Sequence, residues 1–209
     1  MNYIVALGNP GEEYTGTRHN IGWTMADALV SEFSLTAPIS NSKYQGLYSY
    51  GSIGREEVNL LYPTTFMNNS GVAVKKLMPA NKLSQLIVLH DDVDLPLGEI
   101  KISNNRGAGG HNGVKSIIAE LGSNEFLRIR IGVAQKSFFT GKIKRPVGDK
   151  LPRFVLAKFT RSEEKVVKEM EKLVGQAVAL IVKEGGAVAM NKFNWRTYAN
   201  GTIIKWPAP

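Results

Sequence analysis

The chain has 209 residues, of which 43% are hydrophobic, and this is enough for one globular domain with a sizeable core. Its formal net charge of +8 favours an anionic partner, such as a nucleic acid or an anionic membrane surface, although a solvated basic surface would give the same number. The absence of cysteine excludes disulfide bonds, thiolate catalysis and cysteine-ligated zinc.

No run of apolar residues reaches the length that a membrane-spanning helix needs. The first apolar run stops at Gly8, which is too early for a signal peptide. We therefore expect a cytoplasmic protein without a membrane segment.

Residues 3–7 form a short uncharged apolar run, which predicts a buried strand that ends in the turn Gly8-Asn9-Pro10-Gly11. Asn9 and His19 therefore both lie near the carboxyl end of a strand, where open α/β sheets bind ligands. Taken alone, such a pair is more often a turn former and a surface histidine. A helix is predicted next, with Asn20 as its cap and apolar side chains at helical spacing: Ile21, Met25, Ala28, Leu29 and Phe33.

Residues 47–53 and 58–62 are predicted to pair as a β-hairpin. The second strand leads into residues 63–71, which include Phe66 and Asn68. A short helix is predicted to follow, so Asn68 is a second polar residue between a strand end and a helix start.

Residues 86–89 are predicted as a central strand that runs into the acidic cluster His90-Asp91-Asp92-Val93-Asp94. Residues 99–103 are predicted as a half-exposed strand that contains Lys101. The glycine-rich loop 107–113 follows and leads into a helix. Glycines in such a loop let backbone amides approach a ligand closely, and Asn112 could cap the helix or bind a ligand at its positive end.

Residues 126–133 alternate between apolar and polar side chains, which predicts a strand with Arg128 and Arg130 on one face. Residues 136–153 contain six basic residues and one acidic residue, and we predict a mobile loop or lid there. The capping box Thr160-Arg161-Ser162-Glu163 opens a long amphipathic helix that ends at Gly185-Gly186. Strands that alternate with helices predict an α/β fold for residues 1–209, a single domain with a mixed β-sheet flanked by helices.

Polar residues that follow strands could converge on one edge of this sheet. A histidine with a carboxylate partner is the minimum for activating water, because the carboxylate fixes the ring tautomer and stabilises the imidazolium. Asparagine amides can orient a carbonyl or a developing oxyanion without adding charge. The residues in question are Asn9, His19, Asn68, Asp91 and Asn112.

A metal-dependent hydrolase is the alternative enzyme, because the stretch around residues 90–94 and His111 offers histidine and carboxylate ligands. Their spacing matches neither the zinc motif His-Glu-x-x-His nor a calcium-binding loop. The turn at residues 8–11 also differs from the Gly-x-Gly-x-x-Gly turn of dinucleotide-binding folds.

Two basic and two aromatic residues could bind a nucleic acid beside this site. Lys101 and Arg130 lie on strands that bracket the glycine-rich loop, so they could bind phosphate. Tyr14 and Phe66 could pack against a base or a sugar. A solvated basic surface and ordinary loop packing are the alternative interpretations. An RNA-binding protein without catalytic activity would use the same groups.

Four motifs follow one another along residues 1 to about 133: Gly8-Asn-Pro-Gly11 through Arg18-His19-Asn20-Ile-Gly22, Pro63-Thr-Thr-Phe66-Met67-Asn68-Asn69-Ser70-Gly71, His90-Asp91-Asp92-Val-Asp94-Leu-Pro96 and Gly109-Gly110-His111-Asn112-Gly113. Their order and spacing together resemble the bacterial peptidyl-tRNA hydrolase family. Residues 153–159 and 189–194 extend the likeness toward the end of the chain. The basic segment 136–153 is longer than the family pattern, and the resemblance gives it no role.

The resemblance implies a monomeric esterase, without metal or cofactor, that cleaves peptidyl-tRNA into a peptide and tRNA. It implies that His19 is the base, that Asp91 stabilises its working form, and that Asn9 distinguishes a blocked amino group from a free one. It further implies that the acceptor arm and 3′ end of the tRNA are bound. Substrate contacts are implied for Tyr14, Phe66, Asn68 and Asn112, and tRNA phosphate contacts for Lys101 and Arg130.

Overall fold

Eight strands form one mixed β-sheet in the computed structural model, which describes residues 1–79, 81–136, 143–194, 196–197 and 203–204. The strands of this sheet are β1 (Asn2–Ala6), β2 (Ile39–Asn41), β3 (Gly46–Ile53), β4 (Glu56–Pro63), β5 (Leu86–Pro96), β6 (Ile100–Asn104), β7 (Leu127–Lys136) and β8 (Ile143–Lys144). Two further strands, β9 (Arg196–Thr197) and β10 (Ile203–Ile204), pair only with each other.

The strand order is β2-β3-β4-β1-β5-β7-β6, with β8 paired to β7. The four central strands β4, β1, β5 and β7 are parallel, while the outer strands β2, β3, β6 and β8 join by antiparallel pairing. Because parallel strands end at the same edge, the segments that follow β1 and β4 meet there, beside the later part of β5. The predicted α/β fold with a mixed sheet is confirmed.

Six helices are described: α1 (Ile21–Glu32), α2 (Ser70–Leu77), α3 (Asn112–Leu121), α4 (Lys150–Val155), α5 (Arg161–Glu184) and α6 (Gly186–Phe193). Helices α1, α5 and α6 pack on one face of the sheet, and α2 and α3 pack on the other. The central strand β1 has no polar residue after Asn2 except Tyr3, because it is covered on both sides. Ile4 and Ala6 belong to the first hydrophobic cluster, and Val5 and Leu7 belong to the second.

The predicted hairpin, the capping box of α5 and the alternation in β7 are all confirmed. Arg128 and Arg130 lie on the face of β7 opposite to Ile129 and Ile131, which pack under the α5 side. Arg128 is nevertheless buried, because its guanidinium donates to the carbonyl of Gly107 in the glycine-rich loop.

Two predicted helix caps are wrong. Asn20 precedes α1, but its side chain makes no cap hydrogen bond because it is bound to Asn9 instead. Helix α3 begins at Asn112, and the capping side chain is that of His111, which accepts a hydrogen bond from the backbone N–H of Val114.

Other boundaries differ from the prediction. Strand β5 continues through the acidic cluster to Pro96, so Asp91 lies within a strand and not after one. Within the segment predicted as a mobile loop or lid, residues 143–144 form β8 and residues 150–153 begin α4, while residues 137–142 lie outside the described residues. In the described part of the chain, no helix has the length and apolar character that crossing a membrane requires.

Candidate active site

A cavity of about 400 Å³ opens at the carboxyl edge of the central strands. Loops after β1 and β4, the second half of β5 and the start of α3 line one part of it. The cavity brings together seven of the nine residues that the sequence predicted for the site: Asn9, Tyr14, His19, Phe66, Asn68, Asp91 and Asn112. Lys101 and Arg130 are not among its lining residues.

His19 and Asp91 form the centre of the cavity. His19 lies in a single 3-10 turn, Arg18–Asn20, directly before α1, and Asp91 lies in β5. The imidazole Nδ1 is 2.8 Å from Asp91 Oδ1. Because a carboxylate can only accept, Nδ1 carries the proton and Nε2 keeps a lone pair. Nε2 has no hydrogen-bond partner among the described residues.

The pKa values of this pair shift in opposite directions. Burial raises the pKa of Asp91, but the charges of His19 and His111 and their hydrogen bonds outweigh burial and hold it well below its usual range. Burial lowers the pKa of His19, but the charge of Asp91 and the hydrogen bond outweigh it, so this pKa lies above the ordinary 6.5. Asp91 is therefore a permanent anion that favours the protonated form of its partner.

His111 makes a second hydrogen bond to the same carboxylate oxygen, with Nε2 2.9 Å from Asp91 Oδ1. Since Nδ1 of His111 accepts from the N–H of Val114, its Nε2 is the protonated nitrogen. One ring thus caps α3 and holds the carboxylate. From the sequence, His111 was predicted only as a possible metal ligand. Its position just before the helix, between glycine and asparagine, is the signal that could have identified it.

His90 is buried behind this pair. Its Nδ1 donates to the backbone carbonyl of Asp91 at 2.7 Å, and its ring lies edge-on to His111 with the ring centroids 4.7 Å apart. Burial and the adjacent His111 lower the pKa of His90 well below 6.5, so its ring is neutral. His90 and His111 together fix the main chain and the side chain of Asp91.

Asn9 is held in one orientation by three hydrogen bonds. Its side-chain oxygen accepts from the backbone N–H of Met67 at 2.8 Å. Its backbone N–H and C=O bond to the side-chain amide of Asn20, each at 2.9 Å. These bonds leave the Asn9 Nδ2 amide hydrogens without a partner among the described residues. Asn9 therefore offers the cavity a fixed donor suited to a carbonyl oxygen.

Asn68 and Asn112 are exposed at the cavity, and their side-chain amides have no hydrogen-bond partner within the described ranges. Phe66 is 54% exposed and has a positive φ of 58°, a conformation that costs free energy for a bulky residue. Tyr14 is half-buried at the rim. These four side chains are available to a ligand, because they are not used in packing the core.

Another part of the cavity lining overlaps the segment predicted as a loop or lid, although none of these side chains was predicted for the site. It consists of side chains from α4 and its flanks: Arg145, Leu151, Pro152, Val155 and Leu156. Four of these five side chains are apolar. The end of the basic segment and the residues that follow it therefore contribute an apolar surface to the cavity.

Three of the side chains considered as metal ligands are engaged in other contacts. Asp92 is paired with Arg130, Asp94 is paired with Arg145, and His90 is bound to a backbone carbonyl. Among the described residues, the ligand atoms that come within 4.8 Å of one another belong to a different set: His19, Asp91 and His111. In that set both imidazole nitrogens that face Asp91 are engaged with it as hydrogen-bond donors.

Lys101 and Arg130 lie directly opposite each other in the β6–β7 register. Both point to the face of the sheet away from α5, and Arg130 Nε is bound to Asp92, which does line the cavity. The two cations therefore lie beside the cavity and outside it.

Comparison with known proteins gives a consistent result. A family model described as peptidyl-tRNA hydrolase matches residues 3–201. The peptidyl-tRNA hydrolase of Clostridium tetani is 40% identical over 196 residues, which cover 93% of this chain and 97% of that protein. That of Clostridium beijerinckii is 41% identical over 93% of this chain and 96% of its own. A crystal structure of peptidyl-tRNA hydrolase from Acinetobacter baumannii matches with a TM-score of 0.81 and 30% identity, over 93% of this chain and 94% of that one.

Proposed function

The chain belongs to the peptidyl-tRNA hydrolase family, and on this premise we propose that it hydrolyses the ester between peptide and tRNA with a water molecule that His19 activates, without a metal ion. One observation carries the proposal. His19 presents a lone pair on Nε2 to the cavity, while Nδ1 is fixed at 2.8 Å from Asp91. This is the arrangement of a general base with its orienting carboxylate.

Water is the nucleophile in this proposal. The described lining residues of the cavity include no serine, threonine, cysteine or lysine, so none of them offers a side chain for a covalent intermediate of those kinds. His19 Nε2 accepts a proton from water as the water oxygen attacks the ester carbonyl carbon. Asp91 stabilises the imidazolium that forms.

Collapse of the tetrahedral intermediate completes the reaction. The bond between the carbonyl carbon and the terminal ribose oxygen breaks, and the imidazolium returns its proton to that oxygen. The products are a peptide with a free carboxyl group and tRNA with a free hydroxyl group. His19 is neutral again, so no external proton source is needed for the next cycle.

Asn9 and Asn68 hold the peptide in this scheme. The Nδ2 group of Asn9 is a fixed donor at the cavity. It suits the carbonyl of an N-acyl group, which an aminoacyl-tRNA with a free amino group lacks. Asn68 and Asn112 supply further amide groups, and Tyr14 and Phe66 supply aromatic surfaces for substrate. Lys101 and Arg130 are proposed to bind phosphates of the acceptor arm.

The test compares two substrates and two proteins. We expect an N-acetylated aminoacyl-tRNA to be cleaved in the presence of a chelator, and the free-amine form of the same tRNA to be spared. The His19→Ala variant should lose about 10²–10⁴-fold in kcat, because general-base catalysis is worth that much, while binding tRNA as tightly as the wild type. Release of labelled amino acid and a filter-binding assay measure the two quantities.

Several outcomes would contradict the proposal. Full activity of the His19→Ala variant would show that His19 is not the general base. Cleavage that a chelator abolishes and added metal restores would favour a metal at His19, Asp91 and His111, the set whose ligand atoms lie close together. We further propose that the protein acts as a cytoplasmic monomer, since translation supplies the substrate in the cytoplasm. Sedimentation of the free protein tests the monomer.

A further inference from the structure

Arg18 precedes the proposed base in the chain and is almost fully buried, with 3% of its surface exposed. One terminal nitrogen donates to both carboxylate oxygens of Glu163, at 2.6 and 2.7 Å. The other donates to the carbonyls of Ala157 and Lys158, at 3.3 and 2.6 Å. The hydrolysis described above uses none of these contacts.

Two aromatic rings enclose the guanidinium. Its Cζ lies 4.8 Å from the ring centroids of both Phe154 and Phe159. The planar cation is therefore fixed in angle as well as in position, which a lysine ammonium could not reproduce.

The backbone around Arg18 is joined to the same segment. Thr17 pairs with Lys158 as an isolated antiparallel bridge, and the N–H of Arg18 donates to the carbonyl of Ala157 at 3.1 Å. Residues 154–163 are thus bound to the turn that carries His19 through both backbone and side-chain hydrogen bonds. The same segment begins in the last turn of α4, whose side chains line the cavity.

His19 is consequently held from both sides. On its carboxyl side, Asn20 is bound to the backbone of Asn9 at the end of β1. On its amino side, Arg18 is bound to Glu163 at the start of α5. The imidazole itself has one hydrogen bond among the described residues, the one to Asp91, and its ring centroid lies 5.1 Å from that of His111.

We propose that Arg18 is a positioning residue for the hydrolysis: its ion pair with Glu163 fixes the turn that presents His19 to Asp91 and to the cavity wall. The proposal rests on the proposed function. Glu163 is a second positioning residue, since it also binds Gln135 Nε2 and completes the capping box with Thr160. Arg18 and Glu163 act through His19 and touch no reacting atom.

A purely structural ion pair is the competing explanation, because removing one partner of a buried pair also destabilises a protein. The two explanations differ at His19. A loss of stability alone leaves the folded molecules with normal kcat and with the normal pKa of His19. A loss of positioning lowers kcat in molecules that are fully folded.

The experiment uses two conservative variants and one control. Arg18→Lys keeps the charge and loses the planar two-pronged contact. Glu163→Gln removes the negative charge, yet glutamine can still serve in a capping box. Val178→Ala removes buried apolar volume in the middle of α5, away from the cavity, and serves as the control for lost stability.

Three quantities are measured below the unfolding temperature of every variant: kcat, KM and the pKa of His19. The pKa is read from proton NMR of the imidazole rings. The sequence has three histidines, and the His19→Ala variant identifies the signal of His19. All three quantities use the whole chain.

We expect kcat to fall about 10²-fold in Arg18→Lys, with KM changed less than about threefold, because small displacements of a catalytic group have effects of this size. The pKa of His19 should fall, since it is raised only by its contact with Asp91. Glu163→Gln should change the same quantities in the same direction. Val178→Ala should lower the unfolding temperature and leave kcat and the pKa unchanged.

Wild-type kcat and an unchanged pKa of His19 in both folded variants would overturn the proposal. An equal loss of kcat in Val178→Ala would also overturn it, because stability would then explain the effect. If the wild-type protein cleaves no N-blocked aminoacyl-tRNA, the proposed function fails. The NMR titration then still decides whether Arg18 positions His19.

Discussion

Asp91 has two opposing effects on His19. In the proposed mechanism the carboxylate orients the ring and stabilises the imidazolium that proton transfer creates, and the same charge raises the pKa of His19 above 6.5. Only the neutral ring can accept a proton from water. The fraction of active enzyme should thus fall as the pH drops through the pKa of His19, and this limit should lie above 6.5.

The pH dependence of kcat/KM tests this account. It should rise with pH with a slope of about one and level off above pH 6.5. The Asp91→Asn variant removes the charge that raises the pKa, so its acidic limb should move to lower pH, while its plateau falls about 10²-fold or more. Asp94→Asn, an exposed carboxylate of the same strand that pairs with Arg145, is the matched control and should leave the limb in place. An identical limb in Asp91→Asn would show that another group controls the profile.

For individual residues, the sequence predicted which side chains meet but not which hydrogen bonds hold each of them. Asn9 and His19 follow β1, and Asp91 lies in the middle of the neighbouring parallel strand β5, so the sheet topology brings the three side chains together. The second bond of Asp91 to His111 and the bond of Asn20 to Asn9 depend on exact ring and amide orientation. Local propensity favoured Asn20 as a cap, and a contact 11 residues away in the chain prevailed.

The elements that carry the site depend on close packing between helices. Helix α2 follows the Phe66–Asn68 loop, and it approaches α3 so closely that a Cβ at Gly71 would overlap the backbone carbonyl of Ser116. The N–H of Gly71 also donates to Ser116 Oγ at 3.0 Å. Glycine at this position therefore permits the close approach of α2 and α3, the helices that follow the Phe66–Asn68 loop and the glycine-rich loop.

Replacing Gly71 by alanine tests this packing. Glycine to alanine in a helix normally stabilises by about 1 kcal/mol, but here we expect the free energy of unfolding to fall by about 1–3 kcal/mol, because the methyl group meets backbone. Urea denaturation measures the change. Gly107→Ala, where an added methyl group would lie in open space, is the control and should change stability little. A more stable Gly71→Ala variant would contradict the packing argument.

Elements defined by strong periodicity or by a cap were predictable, and those defined by tertiary contact were not. The capping box and apolar stripe of α5 specify it locally. Helix α6 was missed because Gly185-Gly186 indicates a stop, whereas Gly185, with φ of 90°, ends α5 and precedes α6 directly. Asn194 then fastens the end of α6 to the backbone of Ile102 in β6, a contact across 92 residues.

The whole molecule has a net charge of +8, and positive charge remains exposed beside the cavity after the nearby acids are paired. The acids nearest the cavity, Asp91, Asp92 and Asp94, are each paired with histidine or arginine. Lys101 is exposed beside Arg130 and has no ion-pair partner within the described part of the chain. An incoming polyanion therefore meets the positive charge of Lys101 next to the cavity.

The salt dependence of KM tests this arrangement. Lys101→Ala and Arg130→Ala should raise KM severalfold with little change in kcat. Each should flatten the slope of log KM against log salt by about 0.7–0.9, which is the effect of one lost phosphate contact. Lys172→Ala removes an exposed charge from α5 on the other face and is the control. A slope unchanged from wild type in Lys101→Ala and Arg130→Ala would argue against a phosphate role.

The contact between Arg18 and Glu163 joins residues 145 positions apart, whereas His19 and Asp91 are 72 apart. During synthesis the chain emerges from its amino end, so Arg18 is made well before Glu163. Arg18 therefore cannot form its ion pair with Glu163 until most of the chain has been made. If Arg18 positions His19 as proposed, a nascent chain that has already placed β1 between β4 and β5 would still lack a fixed base. Catalytic competence should thus arise at one of the last steps of folding, when α5 docks.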